Sequence, residues 1–255
     1  MPTGLSPTLT KPFGQIAPYY DRLMQEVDYG EWVDYVVSLL DRAGTPRGVR
    51  LLEAACGTGT AALLFHQAGY QVSGFDRSSR MLAEARRKAE GTGIKFRQAD
   101  LANFTVRQSL QAVTCLFDSL NYLTAESELA GAFRSAYRAL SPQGAFVFDL
   151  NTIHALTRYW DNRLEVKEAG GIVSIWRNSY DWANRRSNLN LTVFAPRGRA
   201  YRRIDEFHQE SAQPLDRVES MLKGAGFDRV EIFRHLTLEP PREDAIRVTI
   251  IARRD

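Results

Sequence analysis

Two cysteines in 255 residues are too few for a disulfide framework. Cys56 and Cys115 both lie in apolar, strand-like stretches, as reduced core cysteines do. No run of about 18 apolar residues occurs, so no transmembrane helix is expected. The N-terminus lacks a charged stretch followed by an apolar one; no secretory signal is expected, and the chain reads as cytoplasmic. An excess of one charge is missing too. Lysine and arginine number 33 against 30 acids, which argues against wholesale coating of nucleic acid and leaves room for a local basic face. His66, His154 and His235 show no metal-ligand spacing, and no metal is expected. Internal repeats and low-complexity tracts are absent.

What is present is a rhythm. Residues 1–12, with three prolines, read as a loose tail. Over 13–43 the pattern is helical, with Trp32, Val33, Val36, Val37, Leu39 and Leu40 on one face, until Gly44-Thr45-Pro46 breaks it. Apolar runs at 49–54, 70–75, 94–99, 112–117 and 145–150 then alternate with helical stretches near 59–68, 79–90 and 126–140. This alternation predicts βαβ units and an α/β fold with a doubly wound, mostly parallel sheet. After Leu150 the rhythm changes. Extended segments at 171–182, 188–195 and 200–209 have no helices between them and should pair antiparallel. A helix with Pro214 in its first turn and Gly224 beyond its end follows, then strands at 229–233 and 246–252. The expectation is one domain over 13–255 with an antiparallel insertion at about 160–212.

The most informative stretch is Leu51-Leu52-Glu53-Ala54-Ala55-Cys56-Gly57-Thr58-Gly59-Thr60, which follows the first strand and opens a helix. Small residues there let the backbone turn sharply and a ligand approach the main chain. Asp76 ends the second strand, where a carboxylate can accept both hydroxyls of a ribose, and Asp100 ends the third, beside where an adenine would lie. Each aspartate alone would equally suit a helix cap or turn; together they read as an adenosine pocket. Gly57-x-Gly59-x-x-Ala62 also fits a dinucleotide pattern, which makes an NAD-dependent oxidoreductase the competitor. Glu53 argues against it: a carboxylate there repels phosphates and attracts the ammonium of a methionine moiety.

These residues resemble the motifs of class I S-adenosylmethionine-dependent methyltransferases. Glu53 through Gly59 resembles the first motif, with Ala55 where many members carry glycine; Cys56-Gly57-Thr58-Gly59 is similar to the form found in small-molecule methyltransferases. Asp76 with Met81-Leu82, Asp100, and Phe117-Asp118-Ser119-Leu120-Asn121-Tyr122 resemble the motifs that follow, and Leu140-Ser141-Pro142-Gln143-Gly144 with Phe146-Val147-Phe148-Asp149 resembles the loop and fifth strand. Tyr20 resembles the tyrosine that covers the methionine end in the sugar-amine N-methyltransferase-like group. The resemblance implies a seven-stranded sheet with an antiparallel last strand and S-adenosyl-L-methionine as cofactor. It implies cofactor contacts at Tyr20, Glu53, Ala55, Cys56, Gly57, Gly59, Asp76, Arg77, Met81, Asp100, Leu101, Phe117 and Ser119.

For the acceptor, Asp118, Asn121 and Tyr122 stand close to where the methyl should project and can orient an amine or hydroxyl. Glu206 and His208 share one face of a strand, where His208 can act as base and Glu206 as its orienting partner. Trp176, Tyr180 and Trp182 alternate along one face and suit either a pocket wall or packing. The reading is methyl transfer to N or O of a small-molecule acceptor, with Tyr122, His208 and Glu206 as candidate catalytic residues. Two alternatives stay open: an RNA or protein methyltransferase docking through the seven arginines between Arg177 and Arg203, and a non-catalytic cofactor-binding module.

Overall fold

The computed structural model describes residues 12–255, so the loose tail expected over 1–12 lies, Pro12 excepted, outside the described residues. The helical pattern expected over 13–43 is divided: a 3-10 turn at Ala17–Tyr19 runs into α1 (Tyr20–Leu23), and α2 (Tyr29–Arg42) starts afresh. The cause is Asp28, whose carboxylate accepts the Glu31 N–H at 2.9 Å and so caps a new helix. Apolar periodicity alone cannot register such a cap. Val33, Val36, Val37 and Leu40 of α2 are buried in the core.

The expected alternation follows: β1 (Arg50–Ala54), α3 (Thr60–Gln67), β2 (Gln71–Asp76), α4 (Ser79–Lys88), β3 (Lys95–Gln98), β4 (Leu110–Cys115), α5 (Glu126–Ala139) and β5 (Leu140–Asn151). Then come four strands, β6 (Leu164–Ala169), β7 (Ile172–Asp181), β8 (Arg186–Arg197) and β9 (Ala200–Glu210). β6 has no counterpart among the extended segments expected from the sequence. It is an edge strand, and Leu164 and Val166 point outward at 63% and 67% exposure, so no buried apolar run marks it. α6 (Leu215–Ala225), β10 (Arg229–Arg234) and β11 (Arg247–Arg253) close the chain. The glycine that ends α6 is Gly226, left-handed at φ +112°, and not Gly224, which lies inside the helix.

Seven strands form one sheet in the order β10-β11-β5-β4-β1-β2-β3. β1 to β5 run parallel, and β11 lies antiparallel between β5 and β10. The chain winds outward from β1 to β3 and then crosses to β4, so the strand order reverses between β1 and β4. Ligands of open α/β sheets bind at the carboxyl ends beside such a reversal. The other four strands make an antiparallel sheet in sequence order. Its apolar face buries Ile172, Leu191, Val193 and Ile204 against Ile16 and Leu23, so the insertion packs on the N-terminal segment.

Candidate active site

Between β1 and α3 the backbone is left-handed at Ala55, Gly57 and Gly59. The Gly57 N–H donates to Asp76 Oδ2 at 2.9 Å and the Ser78 N–H to Asp76 Oδ1 at 2.7 Å, so one carboxylate at the end of β2 fixes both turns. Burial pushes the Asp76 pKa up, against the pull of these backbone bonds. A Cβ built on Gly57 would meet nothing within 4 Å, which leaves open space for a ligand above the turn. Gly59 differs from expectation. Its added Cβ would lie 3.0 Å from Ala85 Cβ and 3.2 Å from Phe96 Cζ; it lets α3 start close against α4 and does not line the ligand space.

That space is a cavity of about 490 Å³, within the usual range for a small-molecule site. Tyr20, Glu53, Ala55, Cys56, Gly57, Asp76, Arg77, Met81, Asp100, Leu101, Phe117, Ser119 and Tyr122 all line it; Gly59, Glu206 and His208 do not. Asp100 also caps the turn Leu101–Asn103, accepting the Ala102 N–H at 2.9 Å. The residues fit an S-adenosyl group. The carboxylates of Glu53, Asp76 and Asp100 line the cavity, and at Gly57 no side chain blocks approach to the backbone.

Glu53 is 2% exposed and its Oε2 accepts the Thr114 hydroxyl. Burial pushes its pKa up to about 8, with the Thr114 bond opposing and the charge of Asp149 adding. Tyr20 is held over this end by a tie that the sequence did not reveal. Lys88 Nζ donates to Asp21 Oδ2 at 2.7 Å, to Thr60 Oγ1 at 2.6 Å and to Thr58 Oγ1 at 3.0 Å, locking α1 onto the glycine turn.

A partly buried ion group sets the segment after β4. Arg247 Nη2 donates to Asp118 Oδ1 at 2.8 Å and Nη1 donates to Asp149, which also accepts the Phe117 N–H at 2.6 Å and the Asp118 N–H at 2.9 Å. Phe117 and Asp118 are both left-handed, a conformation that strains non-glycine residues and here turns Ser119 and Tyr122 toward the cavity. Nearby, Glu210 accepts Asn151 Nδ2 at 3.0 Å, and burial followed by the charge of Asp118 pushes its pKa up to about 8. Arg247, Asp149 and Glu210 were not among the expected site residues. The one local signal was polar residues ending otherwise apolar strands.

Tyr122 and His208 do meet: the hydroxyl lies 3.0 Å from Nδ1 of a histidine only 3% exposed. Glu206, fully buried, lies 3.4 Å from His208 Nε2, yet its hydrogen bonds go elsewhere. Its Oε2 accepts the Phe13 N–H at 2.8 Å, and its Oε1 accepts those of Gly14, Gln15 and Ile16 at 3.1, 2.7 and 3.1 Å. Glu206 therefore lies beside His208, as expected of a partner, while backbone donors of the N-terminal segment take up its carboxylate. Trp176, Tyr180 and Trp182 do not line the cavity; Trp176 donates to Ser174 Oγ at 2.9 Å, and Trp182 is 62% exposed beyond the end of β7.

The seven arginines do not form one patch. Arg186 bonds the Thr124 carbonyl, Arg202 bonds Gln15 and Arg203 bonds Asp205. Arg185 and the pair Arg197 and Arg199 sit at turns on opposite ends of β8, separated by roughly 36 Å of extended chain. Among the described residues no helix is long and apolar enough to cross a membrane.

A family profile described as a methyltransferase domain matches residues 51–144. A protein of Geobacillus sp. (strain WCH70) named as a methyltransferase is 32% identical over 246 residues, covering 95% of this chain and 99% of the relative. The dTDP-3-amino-3,4,6-trideoxy-alpha-D-glucopyranose N,N-dimethyltransferase of Streptomyces venezuelae is 28% identical over 224 residues, 82% of this chain and 93% of that protein. Among solved structures, an S-adenosylmethionine-dependent methyltransferase from Clostridium acetobutylicum superposes with a TM-score of 0.83 at 25% identity, covering 94% of this chain and 98% of that one. The chain belongs to the class I S-adenosylmethionine-dependent methyltransferases.

Proposed function

We propose that this enzyme transfers the methyl group of S-adenosylmethionine to an amine nitrogen of a small-molecule acceptor. The observation that carries the reading is a single cavity lined both by the strand-end carboxylates Asp76 and Asp100 and by Tyr122, whose hydroxyl lies 3.0 Å from His208 Nδ1. A hydroxyl backed by an imidazole suits an amine acceptor, which must give up a proton before it can attack. The N,N-dimethyltransferase named above, which acts on an amino sugar by its name, supports the same choice.

In this reading Asp76 accepts the ribose hydroxyls, Asp100, Leu101 and Met81 hold the adenine, and Ala55, Cys56 and Gly57 give the cofactor close approach to backbone. Glu53 pairs with the methionine ammonium. Tyr20, Phe117 and Ser119 enclose the methionine end, and Arg77 borders the ribose. Bound S-adenosylmethionine supplies a methyl carbon activated by its sulfonium, displaced in line as the C–N bond forms and the C–S bond breaks. Aligning the two reactants supplies several kcal/mol, roughly 7–11 in favourable systems. An ammonium must lose a proton before its lone pair is free. With the His208 tautomer that leaves Nδ1 free to accept, the Tyr122 hydroxyl can take that proton as it hands its own to the imidazole.

The test is a pair of matched acceptors, an amino sugar and the corresponding hydroxyl sugar, with S-adenosylhomocysteine release as readout. Transfer to the amine alone supports the reading. Transfer to the hydroxyl alone overturns the choice of nitrogen.

A further inference from the structure

We propose that Glu206 is a latch that ties the strap of residues 13–16 over the cofactor cavity, so that cofactor exchange proceeds by its release. The inference rests on the cavity being the cofactor site, as read above. Four consecutive backbone N–H groups, from Phe13 to Ile16, converge on one carboxylate of β9 at 2.7–3.1 Å. Such successive donors form an anion-binding nest, and here the acceptor comes from the antiparallel sheet, 190 residues away in sequence. The strap is also wall: Pro12, Phe13 and Gly14 line the cavity. Its outer end is tied to the ribose side, where Ser78 Oγ donates to the Phe13 carbonyl at 2.7 Å while the Ser78 N–H binds Asp76.

The energetics make this a two-position device. Glu206 is fully buried, and among the described residues its one side-chain neighbour of possible positive charge is His208, with Nε2 at 3.4 Å. With the strap closed, its charge is met by four N–H donors. With the strap displaced, a buried carboxylate loses all four, which is costly unless water enters. Opening is therefore rare, and the four bonds also outweigh the strain of the left-handed φ of +59° at Phe13. The Phe13 ring also packs 5.1 Å from Tyr122 and 5.0 Å from His208 between centroids, so the strap walls both the cofactor end and the proposed acceptor end.

Glu206→Gln tests this with least disturbance. The amide replaces one acceptor oxygen with an NH2 group, so in either orientation at least one strap N–H faces a donor. Hydrogen exchange of the 13–16 amides should accelerate at least tenfold, and release of S-adenosylhomocysteine, followed by stopped-flow displacement, should accelerate by a similar factor. Faster exchange with unchanged release would overturn the gate; unchanged exchange would overturn the latch. If Glu206→Gln does not fold, the wild-type protein decides: saturating S-adenosylhomocysteine should slow exchange of the 13–16 amides at least tenfold, and no slowing overturns the proposal. Asp76→Ala separates the two readings. If it leaves cofactor affinity intact, the cavity assignment fails; if it weakens binding while Glu206→Gln leaves release unchanged, the latch alone fails.

Discussion

The floor and the roof of the cavity are built by different means. The floor is backbone and strand ends, with Glu53, the turn at 55–57, Asp76 and Asp100 contributed within 50 residues by adjacent parallel strands. The roof is side chains reaching across the chain: Glu206 to residues 13–16, His208 to Tyr122, Arg247 to Asp118. A floor made by the fold itself suits the part of the reaction that does not vary, the cofactor. The roof pairings of Glu206 and His208 lie on an inserted sheet, which can be rebuilt for a new acceptor without disturbing the floor.

The comparison breaks most readily at Asp76. If the floor binds the cofactor, Asp76→Ala removes acceptors for two ribose hydroxyls, each hydrogen bond to a charged group being worth about 1.5–3 kcal/mol. Calorimetric affinity for S-adenosylmethionine should fall at least tenfold, with about a hundredfold expected, while turnover at saturation changes less. Roof substitutions should show the opposite split. His208→Ala and Tyr122→Phe should lower turnover by about tenfold or more, as loss of a proton acceptor does, with cofactor affinity within about twofold. Equal losses in both quantities for both sets would dissolve the distinction between floor and roof.

The same contrast decides what the sequence could reveal. The glycine turn, Asp76 and Asp100 were legible because each depends on its neighbours in one βαβ unit, where strand, turn and helix impose a fixed spacing. Whereas the edge strand β3 is mostly exposed, β1, β4 and the second half of β5 were legible because parallel strands buried on both faces are continuously apolar. β6 was not, since its outward residues are Leu164 and Val166 and its inward ones are no more apolar. Pairing Glu206 with His208 from their shared face identified two residues that do lie together, but not what the carboxylate holds, because nothing local announces backbone donors 190 residues away. Lys88, one of several basic residues ending α4, likewise carried no mark of its tie to Asp21 and the glycine turn.

A smaller effect sharpens the floor's chemistry. The Glu53 pKa in the free protein is raised from 4.5 to about 8 by burial, so at pH 7 it is mostly protonated. Pairing with an ammonium requires the ionised form, and binding at pH 7 should release about 0.9 proton from this group. Calorimetry in two buffers of different ionisation enthalpy measures the release, and Glu53→Gln should abolish it. The sign for stability follows. A carboxyl with a raised folded pKa contributes stability that is present below about pH 4.5 and lost as pH rises through about 8. The free enzyme should therefore lose thermal stability between pH 5 and 8.5, and Glu53→Gln should flatten part of that decline, Glu210 supplying another part.

The smallest effect is expected at the arginines of the roof. Arg197 and Arg199 flank Gly198 at the exposed β8–β9 turn, while Arg186, Arg202 and Arg203 are already bonded within the chain. A phosphate-binding surface needs its cations side by side along a backbone track, and its affinity falls steeply with salt. Here Arg185 lies at the far end of β8 from the other two. Replacing Arg197 and Arg199 together by alanine should change stability by no more than about 0.5 kcal/mol and leave turnover on a small amine unaltered. A salt-dependent loss of RNA binding or RNA methylation in that double variant would show that the roof docks a polyanion, and the small-molecule reading would give way.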